Sequence, residues 1–365
     1  MVGSDGRSER VLRTRGGAAL IGACLGLLAL VPGARAEVFG SQTVIKTGGE
    51  PWSVAVSDFD RDGDPDLAVA DVRFDQVLVL RGRAGGGFTS PSAFAVGRYP
   101  MSVVAGDFND DDRSDLAVGN YSGNSVSVLL GDGSGGFSSA SSFPTGRQPT
   151  SLALADFNRD GDPDLAVANH TDRSVSVVLG GAGGSFSPRT DYAVGHSTWG
   201  VAAEDFDGDG RPDLAVTDSS QGGVSVLLGD AGGGFGAPAK IPTGAQGRML
   251  APGDFNGDGD ADLAVANFEG RSVSVLSGDG TGGFTTASTT LEAAWAVAVS
   301  DFNGDDHPDL AVSGSSSDSV SVLLGGTGGR FAPPSAFVVG DEPVSVATGD
   351  FNGDGRPDLA SANRS

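Results

Sequence analysis

Nine-residue segments that begin Asp-Phe and end in Asp recur seven times, each with oxygen-bearing side chains at positions 1, 3, 5 and 9. The seven sets are Asp58, Asp60, Asp62 and Asp66; Asp107, Asn109, Asp111 and Asp115; Asp156, Asn158, Asp160 and Asp164; Asp205, Asp207, Asp209 and Asp213; Asp254, Asn256, Asp258 and Asp262; Asp301, Asn303, Asp305 and Asp309; and Asp350, Asn352, Asp354 and Asp358. Alternate side chains of a tight loop converge on one centre, and Ca²⁺ takes hard oxygen donors at this spacing. Glycine at position 6 supplies the positive φ of the bend in five loops, whereas Asp112 and Asp306 replace it and predict weaker sites. Asp-Gly turn chemistry alone explains the glycine and one aspartate, but not four acidic or amide groups kept in register seven times. The spacing predicts up to seven bound Ca²⁺ ions.

The first aspartates are separated by 49, 49, 49, 49, 47 and 49 residues, a period that belongs to a repeat architecture. Around each loop lie four short apolar runs, clearest after Pro149 as TSLALADF, DLAVAN, SVSVVLG and a looser run following Phe186. Their length, their Val and Leu content and the Gly, Asn, Asp and Pro between them describe strands. Four antiparallel strands per repeat describe a blade, so the expected fold is an all-β, seven-bladed β-propeller with each calcium loop joining first and second strands. The seventh repeat ends after the run 358–363, which matches a second strand, and residues 39–47 resemble a fourth. The last blade is therefore expected to be incomplete, with an unpaired edge open to a partner strand.

The loops match the pattern D-x-[DN]-x-D-G-x-x-D in five of the seven copies, and Phe235-Gly236-Ala237-Pro238 stands in the looser part of one repeat. In these features the chain resembles the FG-GAP or VCBS-type calcium-binding repeats that build the head of integrin α chains and many secreted bacterial proteins. The resemblance covers all seven repeats. It implies that position 7 supplies a backbone carbonyl ligand, which accounts for the variety of Asp64, Arg113, Asp162, Arg211, Asp260, His307 and Arg356 there. It also implies an adhesion role like that of the integrin head. An EF-hand would need a twelfth-position Glu and flanking helices, and strands flank these loops instead.

Residues 1–36 read differently from the rest: Arg7, Arg10, Arg13 and Arg15 precede an apolar run from Ala18 to Val31, then Ala34-Arg35-Ala36. This is the form of a secretory signal peptide, leaving residues 37–365 as a secreted propeller domain with no membrane span. Cys24, the one cysteine, falls in that leader, so bound metal takes the place of a disulfide staple. Beyond the leader stand 18 basic and 45 acidic residues, and 29 of the acidic ones lie inside the seven loops. Such a charge argues against nucleic acid as a partner.

Histidines 170, 196 and 307 and lysines 46 and 240 are the few conventional bases, and no motif selects an acid–base pair among Glu50, Glu204, Glu269, Glu292 and Glu342. No catalytic residue is expected. Trp52, Trp199 and Trp295 each stand six residues before the first Asp of their loops and share one repeat position. That position enters the innermost strand on the face opposite the calcium loops, where the turn after the second strand adds Tyr121 and Phe268. This face is the candidate ligand surface, for protein or glycan; wedging adjacent blades together is the competing role for the indoles. An exported binding or adhesion module is expected, with a polysaccharide-cleaving enzyme or a structural spacer as alternatives.

Overall fold

Each acidic loop punctuates two strands whose compositions fix their places. The run before the loop alternates small and apolar residues, as in Pro149–Ala155, and the run after it, as in Asp164–Asn169, is buried along its whole length. A computed structural model describes residues 24–28, 39, 42–243, 246–290 and 294–364. No helix occurs among the described residues.

Six blades are formed by contiguous chain. The first pairs Pro51–Ser57, Asp66–Asp71, Gln76–Leu80 and Ser92–Ala95 in that spatial order, and the second pairs Pro100–Gly106, Asp115–Asn120, Ser125–Leu129 and Ser141–Pro144. The third comprises Pro149–Ala155, Asp164–Asn169, Ser174–Val178 and Thr190–Ala193, and the fourth Thr198–Glu204, Asp213–Asp218, Val224–Leu227 and Ala239–Ile241. The fifth has Gly247–Gly253, Asp262–Asn267, Ser272–Gly278 and Phe284–Thr290; the sixth has Ala294–Ser300, Asp309–Gly314, Ser319–Leu323 and Ser335–Val338. Neighbouring strands are antiparallel throughout.

The expectation of seven blades, the last one incomplete, is corrected by this topology. The protein is an all-β propeller of six contiguous blades, and the final repeat does not stand as a seventh blade short of a strand. Pro343–Gly349 and Asp358–Asn363 instead join a composite sheet with Cys24–Leu28 and Gln42–Lys46, in which Cys24 lies opposite both Asn363 and Lys46. The physical reason is the unpaired edge itself: backbone donors and acceptors along Asp358–Asn363 require partners, and an apolar run of the same chain supplies them. The place assigned to a partner strand is thus taken by a strand from within the expected leader. The remainder of that leader, residues 1–23 and 29–36, lies outside the described residues.

The first strands of successive blades touch in sequence and return from Pro343–Gly349 to Pro51–Ser57, so the ring closes. Serines one repeat apart stitch it: Ser53 accepts from the Val103 amide, Ser102 from Leu152, Ser151 from Val201 and Ser345 from Val54, at 3.2–3.4 Å. The core lies between blades, where the second-strand leucines and valines of one blade meet the third strand and loop phenylalanine of the preceding one.

Candidate functional site

The loop conformation follows from its own hydrogen bonds. In all seven copies the position-1 carboxylate accepts from the position-6 amide at 2.7–3.0 Å, as in Gly63 to Asp58 and Asp306 to Asp301. In all seven the position-5 carboxylate accepts from the position-7 amide at 2.9–3.0 Å. Side-chain oxygens at positions 1 and 5 are thereby folded inward. Position 6 has positive φ whether it is Gly210 at 80°, Asp112 at 59° or Asp306 at 66°. Position 4 has it too, in Arg61, Asp110 and Arg159 as well as in four glycines, a requirement that the scatter of side chains there concealed.

Two loops bring three carboxylates to within 4.8 Å of one another: Asp58, Asp60 and Asp66, and Asp205, Asp207 and Asp209. Asp60 provides the test of fit. Its side chain is 13% exposed, its Oδ1 is buried without a hydrogen-bond partner, and burial together with the charge of Asp62 raises its pKa. Arg81 lies 3.5 Å from the other oxygen, Oδ2, and answers only part of this charge; a buried Oδ1 with no partner is costly by itself and suited to a hard cation. The donor set therefore fits Ca²⁺, with the four side chains of the loop and a position-7 carbonyl as the residues that would hold it.

Position 9 does more than the spacing suggested. Asp66, Asp115, Asp164, Asp213, Asp262, Asp309 and Asp358 are all fully buried, and each accepts from the position-2 amide at 2.8–3.0 Å. The other oxygen accepts, at 2.6–2.8 Å, from a glycine amide just after the third strand in six copies: Gly82, Gly131, Gly180, Gly229, Gly278 and Gly325. In the composite sheet Asn352 Nδ2 donates to Asp358 instead. Burial outweighs these bonds and pushes Asp66, Asp115, Asp164, Asp213 and Asp309 up to about 6. Position 9 thus ties the loop to the blade. Glycine is required at its partner because a Cβ there would lie 2.2–2.5 Å from a backbone carbonyl oxygen, that of Pro163 for Gly180.

The loop phenylalanine at position 2 is buried, and it packs edge-on against a phenylalanine of the neighbouring blade. The pairs are Phe59 with Phe137, Phe108 with Phe186, Phe157 with Phe235, Phe206 with Phe284, Phe255 with Phe331, Phe302 with Phe39 and Phe351 with Phe88, with centroids 5.2–5.8 Å apart. Each loop is thereby coupled to the next blade. Phe39 makes the same contact for the composite sheet.

At the opposite end of the inner strands the three tryptophans meet. Trp295 lies 5.8 Å from Trp199 and 6.1 Å from Trp52, although these residues enter from non-adjacent sheets, so the indoles converge over the axis. All three are half-buried, and Trp295 also packs against the buried cluster that contains Ala296, Phe302 and Val346. Phe268 packs on Trp295 at 5.1 Å and His170 on Trp199 at 5.4 Å, while Tyr121 joins through Tyr99, which stands 6.2 Å from Trp52. Phe74 stays apart, 54% exposed beneath Arg73. Sequence reasoning missed two cations of this cup. Arg248 shares the tryptophans' repeat position and lies 4.1 Å from the Trp199 ring centre and 4.8 Å from that of Trp295. Arg364, in register with Tyr121 and Phe268, covers Trp52 at 4.5 Å and pairs with Glu50 at 2.8 Å and Glu342 at 3.6 Å.

Comparison with known proteins agrees with this architecture. The FG-GAP-like repeat matches six times in overlapping copies, at residues 58–118, 107–167, 156–216, 205–265, 254–312 and 301–361, and the chain belongs to that family. No curated protein matches the sequence. Among solved structures, the chain is similar to an Agrocybe aegerita lectin that recognises non-reducing terminal N-acetylglucosamine, at 18% identity and TM-score 0.58, covering 94% of this chain and 96% of the lectin. It is similar to the periplasmic gluconolactonase of Pseudomonas aeruginosa, at 16% identity and TM-score 0.62, covering 94% and 99%. It is also similar to a virginiamycin B lyase from Staphylococcus aureus, at 11% identity and TM-score 0.54, covering 86% and 94%. At these identities the likeness is one of fold, and the fold serves binding proteins and enzymes alike.

Proposed function

We propose that the protein is a calcium-stabilised propeller that binds a glycan or protein ligand on its axial aromatic face and performs no catalysis. The observation that carries this reading is the convergence of Trp52, Trp199 and Trp295 over the axis, half-buried, on the face away from the acidic loops. Trp295 contributes to the core between blades, whereas Trp52 and Trp199 join none of the described buried clusters and meet it from separate sheets. Half-exposed indoles beside fixed cations are instead the composition of a recognition surface.

A glycan is favoured within that reading, since the cup is a closed opening without a free sheet edge to take an extended peptide. The lectin of the same fold adds weight. Glu50 and Glu342 are tied into ion pairs with Arg364, which argues for a positioning role over acid–base work for these two. The role of the cation in the loops is structural, because it neutralises carboxylates held in register and couples them, through the phenylalanine pairs, to the next blade.

A glycan array and pull-down with wild type and Trp199→Ala, in calcium and in chelator, test the proposal. Binding that Trp199→Ala abolishes while the rise in melting temperature on adding calcium is retained supports it. Turnover of a bound sugar, or a ligand indifferent to Trp199→Ala, overturns it.

A further inference from the structure

Within the axial cup two arginines lie on indoles, but only one of them has its charge answered. Arg364 rests on Trp52 at 4.5 Å and directs Nη2 to Glu50 Oε1 at 2.8 Å, with Nη1 3.6 Å from Glu342. Arg248 rests on Trp199 at 4.1 Å, on Trp295 at 4.8 Å and on Phe268 at 5.5 Å, and no carboxylate lies within ion-pair distance of it among the described residues. The aromatic rings engage the guanidinium through their π faces, whereas its N–H donors lie in the guanidinium plane and remain for an acceptor. Burial weakens the basicity of Arg248 while the more distant charge of Glu269 sustains it. The cup therefore contains its own template: one aromatic-bound arginine holding carboxylates and a second prepared to hold one.

On the binding reading above, we propose that this axial cup takes an acidic sugar residue, with Arg248 receiving the ring carboxylate bidentately beside the indoles. Arg-carboxylate forks are short, directional and suited to a desolvated site. The indole N–H groups of Trp199 and Trp295, the two rings on which Arg248 rests, are bonded to no described protein atom and remain for hydroxyl groups. Charge is distributed accordingly. Of the 47 acidic residues 29 sit in the loops at the far face, so an anion approaching the cup does not meet the main negative charge of the protein. A carboxylate on a sugar ring has two sources in this chemistry, a uronic acid and a sialic acid, and both satisfy the same cation.

The test is calorimetric titration of the full chain in saturating calcium with trigalacturonate, with sialyllactose and with the methyl ester of each. The free acid that fits is expected to bind at least ten-fold more tightly than its ester. Arg248→Gln is expected to bring the affinity for the acid down to that for its ester, and Arg248→Lys to restore part of the difference. The esters neutralise the ligand instead of the protein, so the comparison stands even if a variant does not fold. Equal affinity for acid and ester, or a preference that Arg248→Gln leaves intact, overturns the proposal. If neither acid binds while a neutral glycan does, the cup's acidic specificity fails and the binding reading survives. If carboxyl-terminal peptides bind in an Arg248-dependent way and sugars do not, the ligand class is wrong. If the glycan array and pull-down yield nothing, the binding reading itself fails.

Discussion

Replacing Asp213 by Ala separates what the blade needs from what the cation needs. Asp213 accepts from the Phe206 amide at 2.9 Å and from Gly229 at 2.6 Å, and it is fully buried. Alanine leaves two buried amides unpaired, at about 1–3 kcal/mol each, so the loss is about 2–6 kcal/mol. Against a total stability of about 5–15 kcal/mol this is a large fraction. In domains of 150–250 residues each kcal/mol moves the melting temperature by roughly 2–4 °C, and a larger domain responds somewhat less. The comparison is Asp207→Ala, whose carboxylate belongs to the Asp205–Asp207–Asp209 cluster and accepts only from the neighbouring Asp209 amide. Scanning calorimetry of both variants in excess calcium and in excess chelator reads the difference. Asp213→Ala should be destabilised in both conditions. Asp207→Ala should differ from wild type in calcium and coincide with it in chelator. Equal behaviour of the two variants in chelator would refute the idea that Asp213 holds the blade together independently of any cation.

Asp112→Gly and Asp306→Gly remove side chains from backbone held at φ 59° and 66°, and each should raise stability by about 1 kcal/mol in thermal melts. Both should also tighten calcium in their own loops, read by titration of the variant against wild type. Gly180→Ala would set a Cβ 2.3 Å from the Pro163 carbonyl oxygen, so the backbone must shift and break the bond to Asp164. It should lower stability by about 1–3 kcal/mol, whereas Gly183→Ala, with no atom within 4 Å, should cost only the strain of its φ of 72°.

The repeat and its strands were legible because a 49-residue period forces the same turns and the same apolar alternation seven times over. The junction was not. Sequence matching placed residues 39–47 as a fourth strand, and Phe39 does occupy the phenylalanine place of that strand against Phe302. The third place went unread because Cys24–Leu28 sits in a segment whose composition signals export, while pairing responds only to an open edge. Ligand spacing identified the loop carboxylates, yet Asp at position 9 looked like any other donor. Its bond to Gly131 or Gly229 spans 16 residues and becomes visible only when the third strand returns beside the loop. Arg248 was in plain register with the tryptophans. Its meaning depended on which side chains meet over the axis, and a repeat position alone does not say that.

On the proposed function the acidic loops hold calcium and the propeller depends on it. Equilibrium dialysis with ⁴⁵Ca, followed by calorimetry of the same sample before and after chelation, tests this most directly. Several bound ions per chain, up to seven, are expected, with a melting temperature that falls on chelation and returns when calcium is restored. Fewer than one ion per chain in millimolar calcium, or a melting temperature indifferent to chelator, would contradict it.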